Sequence, residues 1–505
     1  FGGPYDMAYP PMAVLRHNPS DRLANIYHTL TMKRDRSQAV SVDTIRTPKR
    51  IETPDNAPAW AIWERELYRV NRKAAHWIAN WQQPDGMFWG GPNDDSFIPL
   101  GYAELPLMGD ELTRRAWLRF YEGLEEKGIF ADGYCDIWPI DPLHITDFIT
   151  SRGLMLAFDL GGPRVFEREL RTTERYTERV NATNRRLAEQ NLPPLTGEDK
   201  DRERKEVTLV ECMEAEILDY SRTHIQWYWK QTEIPPVHEI RDRQSAARRM
   251  MELAQTWDDN ALFGYTEALI HTDTQTGVGR DELIRAALGG RLQGRIEPHP
   301  HSIAVSWEGN ENPDLARLVS YADEKTLKVN LYNFSTKAAE ITMRVWRLEK
   351  GRYEIAMGPD RKDDGTIDGK ETWKRTEVLR RFSTVPLEIP PQQNMALCVT
   401  QVESLPEENA LPDLAIGKED LRAVGGNTLQ AVVHNIGAAP AENVQVEVIR
   451  PNGKVVASQT IAELGAPSAD FAARRITLSF PGLKSPEKLG IRIDPNNEIA
   501  EIFEE

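Results

Sequence analysis

The residues best suited to chemistry crowd into one stretch, Trp81–Ser96, which reads WQQPDGMFWGGPNDDS. Trp81, Phe88 and Trp89 offer flat apolar faces of the kind that stack on sugar rings. Gly86, Gly90 and Gly91 let the backbone turn sharply and come close to a ligand. Asp94 and Asp95 set two carboxylates side by side, just ahead of Phe97-Ile98-Pro99-Leu100. Loops held by a rigid scaffold often carry function, and this one is richer than a connector needs. The plainer account is a helix entry, capped by Asp or Ser, with the aromatics in the core.

A second stretch has the same style. Gly128–His144 reads GIFADGYCDIWPIDPLH and carries Asp132, Tyr134, Asp136, Trp138, Asp141 and His144. Hydrolysis of a glycosidic bond uses two carboxylates, one as acid and one as base or nucleophile. Asp94 or Asp95 is therefore expected to pair with Asp136 or Asp141 across a cleft, with sugars stacked on Trp89 and Trp138. Elimination across a uronic acid needs other parts: a Tyr or His base and a cation to neutralise the sugar carboxylate. Tyr134 and His144 supply the base, and Arg152, eight residues after His144 on one helical face, supplies the cation. The bland alternative packs His144 beside Trp138 and pairs Arg152 with Asp147 or Asp159. Carboxylates outnumber the Tyr-His-Arg set in these loops, so hydrolysis is slightly favoured.

Tyr5 and Asp6, in FGGPYD, are expected to line the same mouth. His17, His28 and the acidic run after Trp257, Asp258-Asp259, are further candidates. His299-Pro300-His301 is too short a pattern to assign a metal site. Nothing resembles a nucleotide loop or a G-x-S-x-G nucleophile elbow.

The elements that must position these residues are helical over the first three-fifths of the 505-residue chain. Ser20 caps an expected helix to about Arg36, apolar residues recur at three and four over Ala59–Trp81, and further helices are expected near Phe97–Leu107, Asp110–Lys127, Ile145–Asp159, Arg164–Gln190, Asp201–Lys230, His238–Trp257 and Arg280–Leu288. Gly161-Gly162-Pro163 stops one helix and starts the next. Helix after helix, joined alternately by short breaks and long loops, fits antiparallel hairpins in a ring or array. The net charge of −16 argues against nucleic-acid binding. Three dispersed cysteines argue against a disulfide framework, and no apolar run is long enough to span a membrane. A start at Phe1 suggests a processed or truncated product, consistent with a removed signal peptide.

Near residue 296 the period changes to two. Strands are expected at Ser302–Glu308, Leu315–Tyr321, Thr326–Phe334, Glu340–Leu348, Tyr353–Met357, Thr384–Ile389 and Met395–Gln401, the pattern of an antiparallel sandwich. A linker, Val402–Leu411, leads to a third unit. It opens with Pro412-Asp413-Leu414, continues through LQAVVHNIGAAPAENVQVEV at Leu429–Val448, and closes with IDPNNEIAEIFEE. These motifs resemble the CARDB module, the cell-adhesion-related domain of bacteria. The resemblance covers the last ~95 residues and implies an Ig-like sandwich in an extracellular or cell-envelope setting. Val444, Val446 and Val448 alternate with polar residues, which independently gives one buried face. Asp494, Asn496, Asn497, Glu498 and Glu501 form an acidic end with the oxygen ligands calcium takes, although a solvated turn explains them more simply.

The full layout also resembles polysaccharide-degrading enzymes built on an (α/α) toroid, in which loops at one end of a helical ring surround a sugar cleft. The expected architecture is thus residues 1–295 as a helical-hairpin toroid, 296–403 as a β-sandwich and 412–505 as a CARDB-like sandwich. Roughly nine helices fall short of a six-hairpin ring, so the ring is partial or the native start is missing. The expected function is a secreted or surface-attached carbohydrate-active enzyme: a glycoside hydrolase, or alternatively a polysaccharide lyase or a non-catalytic glycan-binding adhesion protein. The polysaccharide is the expected partner, and no cofactor is called for apart from calcium.

Overall fold

A computed structural model describes residues 16–20, 53–80, 82–87, 104–129, 158–192, 287–289, 303–309, 314–406, 410–467 and 472–502. The helices among them are α1 (Ala59–Asn80), α2 (Glu104–Leu107), α3 (Glu111–Glu126) and α4 (Pro163–Glu189). Asp110 caps α3 by accepting the Thr113 N–H, and Pro163 opens α4, as helix-start chemistry requires. The ring of helical hairpins expected over residues 1–295 lies mostly outside the described residues, and these four helices do not define a ring.

Residues 305–404 form two antiparallel sheets. One runs in the order β1-β4-β7, from β1 (Val305–Glu308), β4 (Ala339–Val345) and β7 (Thr384–Ile389). The other runs β2-β3-β8-β5-β6, from β2 (Leu315–Ala322), β3 (Thr326–Asn333), β8 (Asn394–Ser404), β5 (Gly351–Pro359) and β6 (Trp373–Leu379). Alternate residues of both sheets, among them Trp307, Leu331, Met343, Ile355, Val385 and Leu397, meet in one buried core. The sequence pattern finds every strand but β6. WKRTEVL lacks an apolar alternation because β6 is an edge strand whose side chains are exposed or half-buried until Leu379.

At the other edge of the five-stranded sheet, α1 lies along β2. Trp60 and Ala61 pack on Ala316 and Leu318, the Trp60 indole N–H donates to Asp363 Oδ1 at 2.8 Å, and the Tyr332 hydroxyl donates to Asn56 Oδ1 at 3.0 Å. Covering β2 with a helix hides backbone groups that would otherwise invite another strand.

The third unit has its own core, built from Leu429, Val433, Val444, Val446, Ile461 and Phe480 among others. Its sheets are β10-β11-β14, with β9 on β11, and β13-β12-β15; their ranges are β9 (Leu414–Ala415), β10 (Leu421–Val424), β11 (Thr428–Asn435), β12 (Ala441–Ile449), β13 (Val455–Leu464), β14 (Arg474–Phe480) and β15 (Gly490–Ile493). Antiparallel sandwiches therefore make up the C-terminal two-fifths. No helix among the described residues is long and apolar enough to cross a membrane.

The first half of the Trp81–Ser96 stretch is held hard against α3. Gly86 has φ +86°, and a Cβ there would lie 2.2 Å from the Arg119 carbonyl oxygen. What comes close to this glycine is a helix backbone. Arg119 donates to the Pro84 carbonyl at 2.6 Å, and Lys127 Nζ lies 2.7 Å from Asp85 Oδ2. Gly86→Ala is expected to lower stability by about 2 kcal/mol or more, from the left-handed backbone and the forced separation of loop and helix. Urea unfolding of the full chain measures it.

Candidate functional site

One face of α1 carries Glu64, Tyr68, Arg72 and His76, each four residues after the last. At 3.6 residues per turn such positions stack into a column. The inner end of the column is dry: Glu64 and Tyr68 are buried, and so is Arg317 of β2, which is 0% exposed. Arg317 lies between two rings, its guanidinium carbon 4.9 Å from the Tyr68 centroid and 5.6 Å from that of Trp307. It donates to the Met108 carbonyl at 3.2 Å, and its Nε is 3.8 Å from Glu64 Oε1. The Tyr68 hydroxyl and Arg317 Nη2 find no hydrogen-bond partner among the described residues. Leaving such groups unsatisfied costs about 1–3 kcal/mol each, so the seam is not the cheapest way to join a helix to a sheet.

Burial lifts the Glu64 carboxyl to about 7, against the opposing pull of Arg317. Burial likewise raises the Tyr68 phenol.

The outer end of the column is organised by Asp110. Its Oδ1 accepts the Thr113 N–H at 3.0 Å and the Thr113 hydroxyl at 2.9 Å. Its Oδ2 accepts from Arg72 Nε at 2.8 Å and from His76 Nε2 at 2.6 Å. Burial would push this carboxyl up, but the His76, Thr113 and Arg72 donors outweigh it and hold it at about 2. Asp110 is therefore ionised at neutral pH, and His76 Nε2 is the protonated nitrogen that donates to it. In the neutral ring the lone pair then sits on Nδ1. The side chains of His76 and Arg72 are about a quarter exposed, whereas that of Asp110 is 1% exposed. The arrangement is an imidazole oriented by a buried carboxylate, with a guanidinium beside it, at the solvent end of a polar seam. It is suited to moving a proton next to an anionic group.

The position of this dyad matters. His76 lies four residues before the end of α1, and Asp110 caps α3, so the two bracket the aromatic and acidic loop in sequence. The residues singled out from the sequence, Asp94, Asp95, Asp136, Asp141, Tyr134, His144, Trp89, Trp138, Tyr5, Asp6 and Arg152, all lie outside the described residues. So do His28, Asp258, Asp259, His299 and His301, while His17 is exposed. Sequence reasoning missed the α1 column because its charges read as a solvated face. The four-residue spacing of Glu, Tyr, Arg and His was the available signal, together with an arginine inside the apolar run of β2.

A second concavity, about 630 Å³, crosses the outer face of β1-β4-β7 beside β6. Glu340 and Glu388 stand directly opposite one another across β4 and β7, and Trp373, Arg375, Glu308 and Thr342 are among its other lining residues. The Arg375 guanidinium carbon lies 4.9 Å from the Trp373 centroid.

Two acidic segments are suited by composition to hold calcium. In the loop 360–371, carboxylates stand at 360, 364, 368 and 371 around left-handed Gly365, a calcium-loop spacing. Lys362 occupies the third position, however, and its Nζ is 2.6 Å from Asp368 Oδ1. Asp360 and Asp364 accept backbone N–H groups of their own loop. In the C-terminal acidic end, Asp494 accepts from the Glu498 and Ile499 N–H groups, and Glu501 accepts the Leu414 N–H at 2.6 Å. Among the described residues no three acidic, histidine or cysteine side chains converge as a metal cage.

A family model, CARDB, matches residues 411–505. The match agrees with the motif reading of 412–505, and the geometry explains the motifs. Asn435 accepts the Asp413 and Gly437 N–H groups and donates to the Ala439, Leu464 and Gly465 carbonyls. Asn435 thus ties the opening and turn segments to the end of β13, and Glu501 ties the closing segment to Leu414 at the same opening. A search of curated proteins returns no match for the chain.

A carboxyl lifted in the folded state keeps its proton where the unfolded chain has lost it, so stability falls as pH rises from about 4.5 to about 7. Glu64→Gln is expected to flatten this fall, which amounts to roughly 3 kcal/mol at about 1.4 kcal/mol per unit. Denaturant midpoints of both proteins across that window measure the difference.

Proposed function

We propose that the chain is a secreted or surface-attached carbohydrate-active enzyme in which His76, oriented by Asp110 and flanked by Arg72, performs the proton transfer. One observation carries the proposal: a quarter-exposed imidazole hydrogen-bonded at 2.6 Å to an ionised, buried carboxylate, at the root of a loop rich in aromatic rings and carboxylates. On this reading the helical part is the toroid expected from the sequence. Trp89 and Trp138 stack the sugars, and Tyr5, Asp6 and Arg152 line the same mouth. The CARDB module is the basis for the extracellular or cell-envelope setting and for surface attachment.

The chemistry of the dyad favours elimination on a uronate-containing glycan over the hydrolysis favoured from composition. His76 Nδ1 takes the proton from the carbon bearing the sugar carboxylate. The electron pair left behind forms the ring double bond, the adjacent C–O bond breaks, and the departing oxygen takes a proton from a general acid or water. Arg72, beside the imidazole, counters charge built up on the sugar carboxylate. Hydrolysis would need two carboxylates facing the sugar. Glu64 and Asp110 are too buried for that, so this route rests on Asp94 or Asp95 with Asp136 or Asp141. Tyr134 and His144 are the alternative bases for elimination.

A second reading is non-catalytic glycan binding. The mixed groove beside Trp373 supports it, since a ring edge and charges of both signs suit sugar hydroxyls.

With uronate polysaccharides, elimination is expected to raise ultraviolet absorbance as unsaturated ends form. His76→Ala is expected to lower kcat by about 10²–10⁴-fold while leaving the fold intact. Cleavage with new reducing ends and no absorbance change would reject elimination and return the assignment to hydrolysis. Glycan binding without turnover, lost in Trp373→Ala and kept in His76→Ala, would establish the second reading.

A further inference from the structure

The C-terminal sandwich meets the helical part through an ionic clamp in which Glu167 and His434 are buried and the Arg475 side chain is 55% exposed. His434 on β11 and Arg475 on β14 are direct cross-strand partners. Together they grip both oxygens of Glu167, on α4: His434 Nδ1 lies 2.5 Å from Oε1, and Arg475 Nη1 lies 2.8 Å from Oε2. Glu167 and His434 are each under 5% exposed. The other imidazole nitrogen, Nε2, is 3.2 Å from Asp420 Oδ2, in the short turn before β10. The charged groups facing the ring are therefore Glu167 from the helix, Asp420 from the turn and Arg475 from the neighbouring strand.

Both ring nitrogens face carboxylates. A singly protonated imidazole has one N–H and one lone pair. It can turn an N–H toward Glu167 or Asp420 but must turn a lone pair toward the other. Nε2 makes no aligned hydrogen bond to Asp420, so that contact is electrostatic, and only the doubly protonated ring sets positive charge against both carboxylates in a site where water is scarce. The surrounding contact is modest in apolar terms: Ala415, Ile436 and Ile502 of the module join the main core, and Arg380 donates to the Ile502 carbonyl. These residues lie at the motif-bearing end of the module, where Pro412, Asn435 and Glu501 are tied together.

We infer that this clamp is a proton-dependent catch, in which doubly protonated His434 holds the C-terminal sandwich against α4 and loss of one proton loosens it. Burial alone would push the imidazole down, but Glu167 and Asp420 outweigh burial and raise it above the ordinary histidine value. The hold is therefore complete at pH values below ordinary histidine titration and is lost as pH rises through the raised value. The module would thus be rigidly docked in mildly acidic surroundings and more mobile in alkaline ones. Nothing in this inference depends on the glycan reading.

Hydrogen exchange on the full chain tests it, with rates corrected for the intrinsic effect of pH. Between about pH 6 and about pH 9, amides of α4 near Glu167 and of β11 are expected to lose about five-fold or more in protection, while the core strands β3 and β8 hold theirs. Asp420 Oδ2 both accepts the Gly417 N–H and faces Nε2, so in Asp420→Asn an amide oxygen in that place keeps the Gly417 contact and removes one of the two negative charges on the ring. That variant is expected to show its step at lower pH than the unaltered chain. His434→Gln is expected to show reduced protection at both pH values and no step. Equal protection at both pH values in the unaltered chain would overturn the inference. So would a step left at unchanged pH in Asp420→Asn, which reads out even if the histidine variant does not fold.

Discussion

A guanidinium shut away from water has to be surrounded by groups that replace it, and Arg317 imposes this requirement on α1 and on the chain just ahead of α3. Its strand, β2, is an edge, and α1 is the element that covers it. The same helix supplies the Glu64 carboxyl, 3.8 Å from Nε, and the Tyr68 ring as a π face, while Met108, just ahead of α3, supplies a carbonyl. Removing one member would strand the others, because a buried charge without its partner costs far more than the pair contributes. Helical part and first sandwich therefore behave as one packing unit around this residue, with a shared core reaching from Tyr68, Trp117 and Phe166 to Trp307 and Leu331.

The seam grades from dry to wet along α1. At its inner end a carboxyl is driven toward its neutral form by lack of solvent. At its outer end a carboxylate with four donors stays ionised. Two acids in one seam are thus pushed apart in proton affinity by their surroundings alone, which is a common basis for dividing acid and base work. At Glu167 the same physics joins the helical part to the C-terminal module: charged partners separated by some 270 positions in sequence meet where water is scarce.

What was readable in the sequence follows from how local each requirement is. The CARDB module was recognisable because Asn435, Asp494 and Glu501 satisfy particular backbone N–H groups at fixed turns, so their identity is locally dictated. The strands with clean two-residue alternation were readable for the same reason, and so were helices α1, α3 and α4, the last with its Gly-Gly-Pro start. The seam was not. Glu64, Arg72 and His76 look like the solvated side of an amphipathic helix until β2 places Arg317 opposite them, and that is a contact across some 250 residues. Gly86 was read as room for a ligand, whereas its free side is taken by the Arg119 carbonyl, again a tertiary fact. Strand β6 escaped because an edge strand needs no apolar face.

The edge at β6 has a further effect. Lys374 pairs with Glu354 at 2.7 Å on the neighbouring strand, Arg375 sits 3.0 Å from Glu377, and Lys374, Thr376 and Val378 are the exposed positions. An incoming strand from another molecule would have to strip these ions of water before gaining any ladder hydrogen bond. The open side of the sheet is thereby closed to zippering, so many copies crowded together would stay separate molecules rather than merge into a continuous sheet.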